Sequence, residues 1–362
     1  MLRRVKTLLA ALIVLCALAV GAAYLPVPYL VASPGLALNT LGDNSEGDPV
    51  IHIEGTEEYR HDGGLSMVTV QYSGGPDARL NILSVIGAWL SPTQAVLPEA
   101  ALFPPDRSIE DVTESQTLAM DDSQTTATAA ALNELGVDYG LRPMVAGVQE
   151  GAPAEGELEQ GDVILEVDGE PVGDKAEAAE RVGDRDPGDE VELTVDRAAE
   201  KGADETALKL TTEESDEGGA VVGIMIADDP DFPFDVEFQV GDIGGPSAGM
   251  MFALGIMDRL DPDGLTGGEQ VAGTGTIDTE GRVGGVSGVA QKMVSARDLG
   301  AEYFLVAEES CAQTFESAAT GDIEVFKVAE LSDAVRALEA IKTGEGLSEL
   351  PRCEPGQSGQ AG

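Results

Sequence analysis

Ser247 stands at a junction that could do nucleophilic chemistry. It lies in "GDIGGPSAGMMFALGIMDRL" (241–260), between Pro246 and Ala248, with Gly244, Gly245 and Gly249 around it and an apolar, helix-like run after it. A serine hydroxyl attacks a carbonyl poorly until a neighbour takes its proton. The chain has two histidines, His52 and His61, both in an N-terminal region of strand-like runs. A His-based triad would need one of them to fold back over the C-terminal part; surface or turn positions are the expectation for both. The other route is a lysine kept neutral by burial, since desolvation disfavours the ammonium. Lys175, Lys201 and Lys209 fall in the middle of the chain, and Lys327 and Lys342 near its end. Lys292 differs. It sits in "GVSGVAQKMVSARDLG", with Ala296 and Leu299 at i+4 and i+7, which places it on the apolar face of its helix. Taken singly, each residue also has a plain structural reading. Such a lysine can be a snorkelling stem, and such a serine can cap a helix. Yet small neighbours would let a substrate backbone approach Ser247, and a helix N-terminus offers free N–H groups where an oxyanion would develop.

The elements that must hold these residues can be read from periodicity and turn residues. "PVIHIEG" and "LSMVTVQYSGG" read as strands, "NILSVIGAWL" (81–90) as an amphipathic helix with Trp89 in core packing, and 114–136 as a longer helix stopped by Gly136. From about 140 to 212 short strands alternate with Gly-Asp and Asp-Gly turns around one short helix, "DKAEAAERV". The acidic "EESDEGGA" (213–220) then reads as a linker. Beyond it come "VVGIMIA", "DVEFQVGDI", the Ser247 junction and its helix, and "GGEQVAGTGTIDTEGRVGGVSG" as paired strands and turns. A helix over 289–299 is stopped by Gly300, "EYFLVA" is a strand, and "SDAVRALEAIK" is a last helix. This is an α+β multidomain pattern with an α/β C-terminal part. The expected divisions are 1–31, 32–135, 136–214, 220–345 and a flexible tail, 346–362.

Composition narrows the function classes. The 362 residues carry 21 Lys+Arg against 66 Asp+Glu, a formal net charge of −45. Three of the basic residues, Arg3, Arg4 and Lys6, precede every acidic one. So acidic a surface repels nucleic acid and anionic headgroups. After the basic head, an uncharged apolar run from Thr7 to Leu25 is about long enough to span a bilayer, and Pro26 and Pro28 end it. Basic residues ahead of the span favour a cytoplasmic N-terminus with the rest of the chain extracytoplasmic, at the cell membrane. A cleaved signal peptide is the competing reading, with small residues near Ala23. Of three cysteines, Cys16 lies in the apolar run, leaving Cys311 and Cys353 as an even pair for a disulfide in an oxidising compartment. No motif suggests a metal or a cofactor, and no G-x-x-x-x-G-K-[ST] loop suggests a nucleotide.

"GGPSAG" with its apolar helix, followed by "TGTIDTEGRVGGVSGVAQKMVSARDLGAEYFLVAEE", resembles the proteolytic domain of Lon-type serine proteases over about 220–342. The resemblance implies Ser247 as nucleophile, Lys292 as general base and Thr274 beside the lysine amine. Gly245, Pro246 and Ala248 would shape the site, with backbone N–H groups of 245–248 receiving the oxyanion. Gly244 stands where the family commonly carries aspartate, and the family's ATPase module has no counterpart here, so substrates would arrive already unfolded. "VAGVQEGAPAEGELEQGDVILEVDGEPV" resembles a PDZ domain of the bacterial protease type, through Ala152-Pro153-Ala154 and Gly161-Asp162-Val163-Ile164. That resemblance implies a peptide groove with its strand at Leu141–Val148, its helix at Lys175–Val182 and its carboxylate loop at Tyr139, Gly140 and Leu141. Span, PDZ domain and ATPase-free proteolytic domain together resemble the membrane-anchored PDZ–Lon peptidases. The combination implies protein or peptide substrates at the cell envelope, and Lon-type proteolytic domains form rings, implying a homo-oligomer. An anchored PDZ adaptor with an inactive protease fold remains the alternative, and a chain that cleaves only its own linker a further one.

Overall fold

The computed structural model describes residues 2–197, 205–215 and 218–355. In chain order the first elements are helix α1 (Leu2–Tyr24), strands β1 (Pro26–Val27), β2 (Tyr29–Asn39), β3 (Ile51–Glu54), β4 (Gly64–Gly74) and β5 (Leu80–Asn81), helix α2 (Ile82–Trp89), strand β6 (Ala95–Pro98) and helix α3 (Ile109–Leu135). There follow β7 (Gly140–Val148), β8 (Val163–Val167), β9 (Glu170–Pro171), α4 (Lys175–Gly183), β10 (Glu190–Asp196), β11 (Glu205–Thr211), β12 (Glu213–Glu214), β13 (Ala220–Val221) and β14 (Ile224–Asp231). The last group is β15 (Asp235–Phe238), α5 (Gly249–Leu260), β16 (Gln270–Thr274), β17 (Thr276–Ile277), β18 (Val283–Gly284), α6 (Val289–Leu299), β19 (Tyr303–Ala307), α7 (Cys311–Thr314), β20 (Glu324–Val328) and α8 (Leu331–Thr343). The chain folds as two units, one from the described residues of 1–137 and 234–362, the other from those of 138–233.

In the first unit a six-stranded sheet runs in the order β20-β19-β16-β4-β2-β6. β20, β19, β16 and β4 are parallel neighbours, while β2 and β6 are antiparallel. Parallel strands need cover on both faces, and their side chains alternate accordingly. Val271, Leu305 and Phe326 join one apolar cluster with α5, α3 and α8, whereas Ala272, Phe304 and Val306 join another with α6. The sheet is thus sandwiched between helices.

The second unit spans 138–233, against the expected 136–214, and the residues of 32–135 and 220–345 do not form separate units. β2 and β4 supply two strands of the same sheet as β16 and β19, and α3 packs on α5. A sequence-local reading cannot see such a joint sheet, because β4 and β16 are separated by the whole second unit. α3 begins at Ile109, ahead of the expected Glu114, through a capping box in which Ser108 Oγ accepts the Asp111 N–H and the Asp111 carboxylate accepts the Ser108 N–H. Gly136 and Gly300 end their helices in the left-handed conformation, as expected. The 346–355 stretch is tied down: Leu347 and Leu350 pack on the core, the Lys327 N–H donates to Pro351 O, and Cys353 joins Cys311 in a disulfide. The rest of the expected tail, 356–362, lies outside the described residues. Trp89 is 75% exposed, which overturns its expected core role.

In the second unit the strand order is β11-β10-β8-β7-β14, with α4 against β7, β8 and β14. Val145, Ile164, Val167, Leu193 and Val222 form its core. "VVGIMIA", expected at the start of the C-terminal domain, instead supplies β14 here, because its alternating Ile224 and Ile226 complete this core beside β7.

Candidate functional site

Ser247 and Lys292 meet at the C-terminal end of the parallel strands, where open α/β sheets place their sites. Ser247 lies just before α5, on one face of the sheet, and Lys292 lies in the first turns of α6, on the other. They converge beyond the end of β16, whose last residue is Thr274. Lys292 Nζ is 2.8 Å from Ser247 Oγ and 2.9 Å from Thr274 Oγ1. Thr274 Oγ1 donates to Ser247 O at 3.0 Å, so toward the lysine that hydroxyl acts as an acceptor. One amine N–H is thereby held on Thr274, and a second tetrahedral position of the nitrogen faces Ser247 Oγ. The strand end is fastened to the serine by the Gly275 N–H, which donates to Ser247 O at 3.0 Å.

Lys292 is 3% exposed and Thr274 fully buried. Burial alone lowers the Lys292 pKa to about 8, and no carboxylate among the described residues restores it. The entry of α6 depends on Gly288, which sits at φ +72° with Val70 Cγ2 only 2.6 Å from where a Cβ would be. Of the residues expected on the inward face of α6, Ala296 is buried, but Leu299 is 46% exposed because the helix ends at Gly300.

α3 shapes the loop before the serine, a contribution with no local signal in the sequence. The Gly245 N–H donates to Gln116 O at 2.9 Å, and Ser123 Oγ donates to Pro246 O at 3.1 Å. A Cβ at position 244 would meet Gln116 Cβ at 3.0 Å, so α3 occupies the space a side chain there would need. Since Gly245 has spent its N–H and Pro246 has none, the N–H groups of Ser247 and Ala248 remain in this loop, with no acceptor among the described residues. A pocket opens over the serine, walled by Pro34–Leu36, by Met67–Tyr72 of β4, and by Gln116, Met120 and Ser287.

Neither histidine reaches this site. His52 Nδ1 lies 3.0 Å from Glu58 Oε2. His61 does fold back onto the C-terminal part, with Nδ1 3.0 Å from Asp258 Oδ1 and Nε2 3.2 Å from Pro262 O. It does so at the far end of α5 from Ser247, roughly 15 Å away at 1.5 Å per helical residue.

The second unit has its own pocket, and it corrects the expected groove. β7, expected as the groove strand, is paired on both sides, to β14 and to β8, so its backbone can accept no further strand. The edge strand is β14. The pocket lies between β14 and α4, lined by Ala178, Ala179 and Val182 of the helix and by Val221–Ile224 and Ile226. Val182 lines this pocket. Tyr139, Gly140 and Leu141 do not: Tyr139 packs edge-on against Phe232 at 5.2 Å, while Gly140 and Leu141 pair with Asp231 and Pro230. Gly223, at φ +77°, makes the turn into β14, where an added Cβ would lie 2.1 Å from Ala152 Cβ. The repeated small-hydrophobic pattern "VVGIMI" was the available signal for this loop and strand.

A family model described as "PDZ domain" matches residues 113–212, which run from within α3 of the first unit through β11 of the second and stop short of β14. The PDZ domain of an SdrC-like protein from Listeria innocua is 25% identical over 24% of this chain and 92% of its own length, with a TM-score of 0.21. The corresponding domain from Listeria monocytogenes is 22% identical over 24% of this chain and 87% of its own length, also at 0.21. The second domain of a Listeria protein is 26% identical over 26% of this chain and 88% of its own, at 0.22. No curated protein matches the chain. The chain is a mixed α/β multidomain protein that contains a PDZ domain, a protein-interaction module.

Proposed function

We propose that the chain is an ATP-independent serine endopeptidase of Lon type, anchored in the membrane through α1. The observation that carries this reading is the buried Lys292 amine, 2.8 Å from Ser247 Oγ and with its pKa lowered to about 8. Neutral Lys292 accepts the Ser247 proton as Oγ attacks the scissile carbonyl carbon. The oxyanion is received by the Ser247 and Ala248 N–H groups. As the C–N bond breaks, the Lys292 ammonium returns the proton to the leaving amine. Water, deprotonated by the same amine, then attacks the acyl carbon, and as the C–Oγ bond breaks the ammonium gives that proton to Ser247 Oγ. Thr274 keeps the amine aimed throughout. α1 supports the anchor, since Arg4–Ala22 is long and apolar enough to cross a membrane. The PDZ domain captures extended segments along β14 and α4 and delivers them as substrate.

The full chain, in detergent micelles and without nucleotide, should cleave an unfolded fluorescent casein. The rate should climb as pH rises through about 8, the value at which the buried amine becomes neutral. Ser247→Ala and Lys292→Ala should each lower kcat by roughly a thousand-fold or more. Folded wild type that cleaves nothing at any pH, with or without added C-terminal peptides, would instead leave an anchored PDZ adaptor.

A further inference from the structure

α2 turns outward the face that a helix ordinarily buries. Ile82, Leu83, Ile86, Trp89 and Leu90, spaced i, i+1, i+4, i+7 and i+8, form one apolar stripe. All five are exposed, Trp89 to 75% and Leu90 to 71%, while the buried residue of the helix is Ala88. A contiguous apolar face on the outside of an acidic protein marks a surface that something covers.

Two observations say what covers it. The first is position. β1, directly after α1, pairs with β5, directly before α2, through Pro26 with Asn81 and Val27 with Leu80. α1 also packs against both α2 and β5. The exit of the apolar helix and the start of α2 are thereby clipped together, and Leu25, at that exit, is itself 59% exposed. The second is charge. From Leu80 to Pro98 no residue is charged, in a chain with a formal net charge of −45. The acidic remainder is repelled by anionic headgroups, so this uncharged helix is the part suited to meet a bilayer.

We propose that α2 lies in the membrane–water interface of the bilayer that α1 crosses, its apolar stripe among the upper acyl chains and Trp89 at the headgroup level. The proposal rests on α1 being a span. It fixes the orientation of the first unit, which one flexible anchor would not. β2 leads from Tyr29 beside the clip to Pro34–Leu36 in the wall of the Ser247 pocket, about 20 Å at 3.3 Å per strand residue. The substrates favoured by this geometry are segments that emerge close to the membrane surface.

Trp89 is the sole tryptophan, so the test reads one residue. The full chain in phosphatidylcholine vesicles should show blue-shifted tryptophan emission that resists acrylamide. Phospholipids brominated near the headgroup end of the chain should quench it strongly, and those brominated near the methyl end weakly. Red-shifted, acrylamide-quenched emission with no bromolipid effect would overturn the proposal. So would acrylamide protection without bromolipid quenching, which would mean that a second copy or another protein covers the face. The span is checked separately by Trp89→Phe combined with Leu15→Trp, whose emission methyl-end bromines should quench. Quenching in that variant with a water-exposed Trp89 in the wild type defeats the α2 docking alone; quenching in neither defeats the span and the docking together.

Discussion

Lys292 shows how one buried cation joins chemistry to stability. Its amine has two hydroxyls for partners and no carboxylate, so burial acts on it unopposed. The ordinary lysine value is 10.5, and in the fold it is about 8. Between these values the unfolded chain holds the proton and the folded chain does not, so stability rises with pH across that window. Below about 8 the folded protein carries a buried ammonium, at a cost of about 3 kcal/mol in order of magnitude. Lys292→Met should therefore be more stable than wild type at neutral pH. Its advantage should shrink as pH rises from about 8 toward 10.5. Urea unfolding of both proteins along a pH series checks this; a constant difference across the series would mean that the lysine does not titrate in that window. The same group that weakens the fold is the one the proposed reaction needs neutral, a trade expected of functional sites.

The elements decide which residues can act on a peptide. α4 falls where "DKAEAAERV" placed a helix, but the expected groove strand is an inner strand of the sheet. Leu141–Val148 and Ile224–Asp231 each carry strand-forming apolar residues, and local sequence cannot tell an inner strand from an edge. Pairing can: β7 has two neighbours and β14 has one. A peptide with an apolar C-terminal residue should bind between β14 and α4. Ala179 is exposed on the pocket rim, so Ala179→Glu should leave the melting temperature nearly unchanged. It should weaken that peptide roughly tenfold or more by crowding the groove and repelling the terminal carboxylate. Calorimetric titration reads it, and equal affinity in the two proteins would move the groove elsewhere. At the same scale, α3 governs the serine loop through Gln116 and Ser123, two residues remote in sequence from everything they touch there.

At the scale of the whole molecule, the C-terminal segment is closed onto the first unit by the Cys311–Cys353 disulfide, 42 residues apart. The closed loop contains β20 and α8, the edge of the sheet and a helix of its cover. Removing such a cross-link frees the unfolded chain by about 3–4 kcal/mol in the loop-entropy account. The double variant Cys311→Ala, Cys353→Ala should melt several degrees lower than wild type, and a reductant should bring the wild type down to the same temperature. Reduction without any change in melting would show that the bond is not formed in the purified protein. A formed bond would also fit the proposed extracytoplasmic placement, since disulfides persist in oxidising compartments.

The sequence by itself determined the local features: the candidate span, the helices capped at Gly136 and Gly300, and the cysteine pair. Local surroundings also singled out Ser247 and Lys292, whereas Thr274 entered only through the resemblance to Lon-type proteolytic domains. The span and the caps follow from nearest-neighbour physics, in which side-chain period, capping and breakers act within a few residues. Tertiary structure alone decided the rest. It put β2 and β4 into the sheet of β16, gave "VVGIMIA" to the second unit, brought α3 against the serine loop, and left Trp89 outside. Each of these depends on whether an edge or face finds a partner, and the partners that are found lie far off in the chain, as β16 does from β4 and β7 from β14.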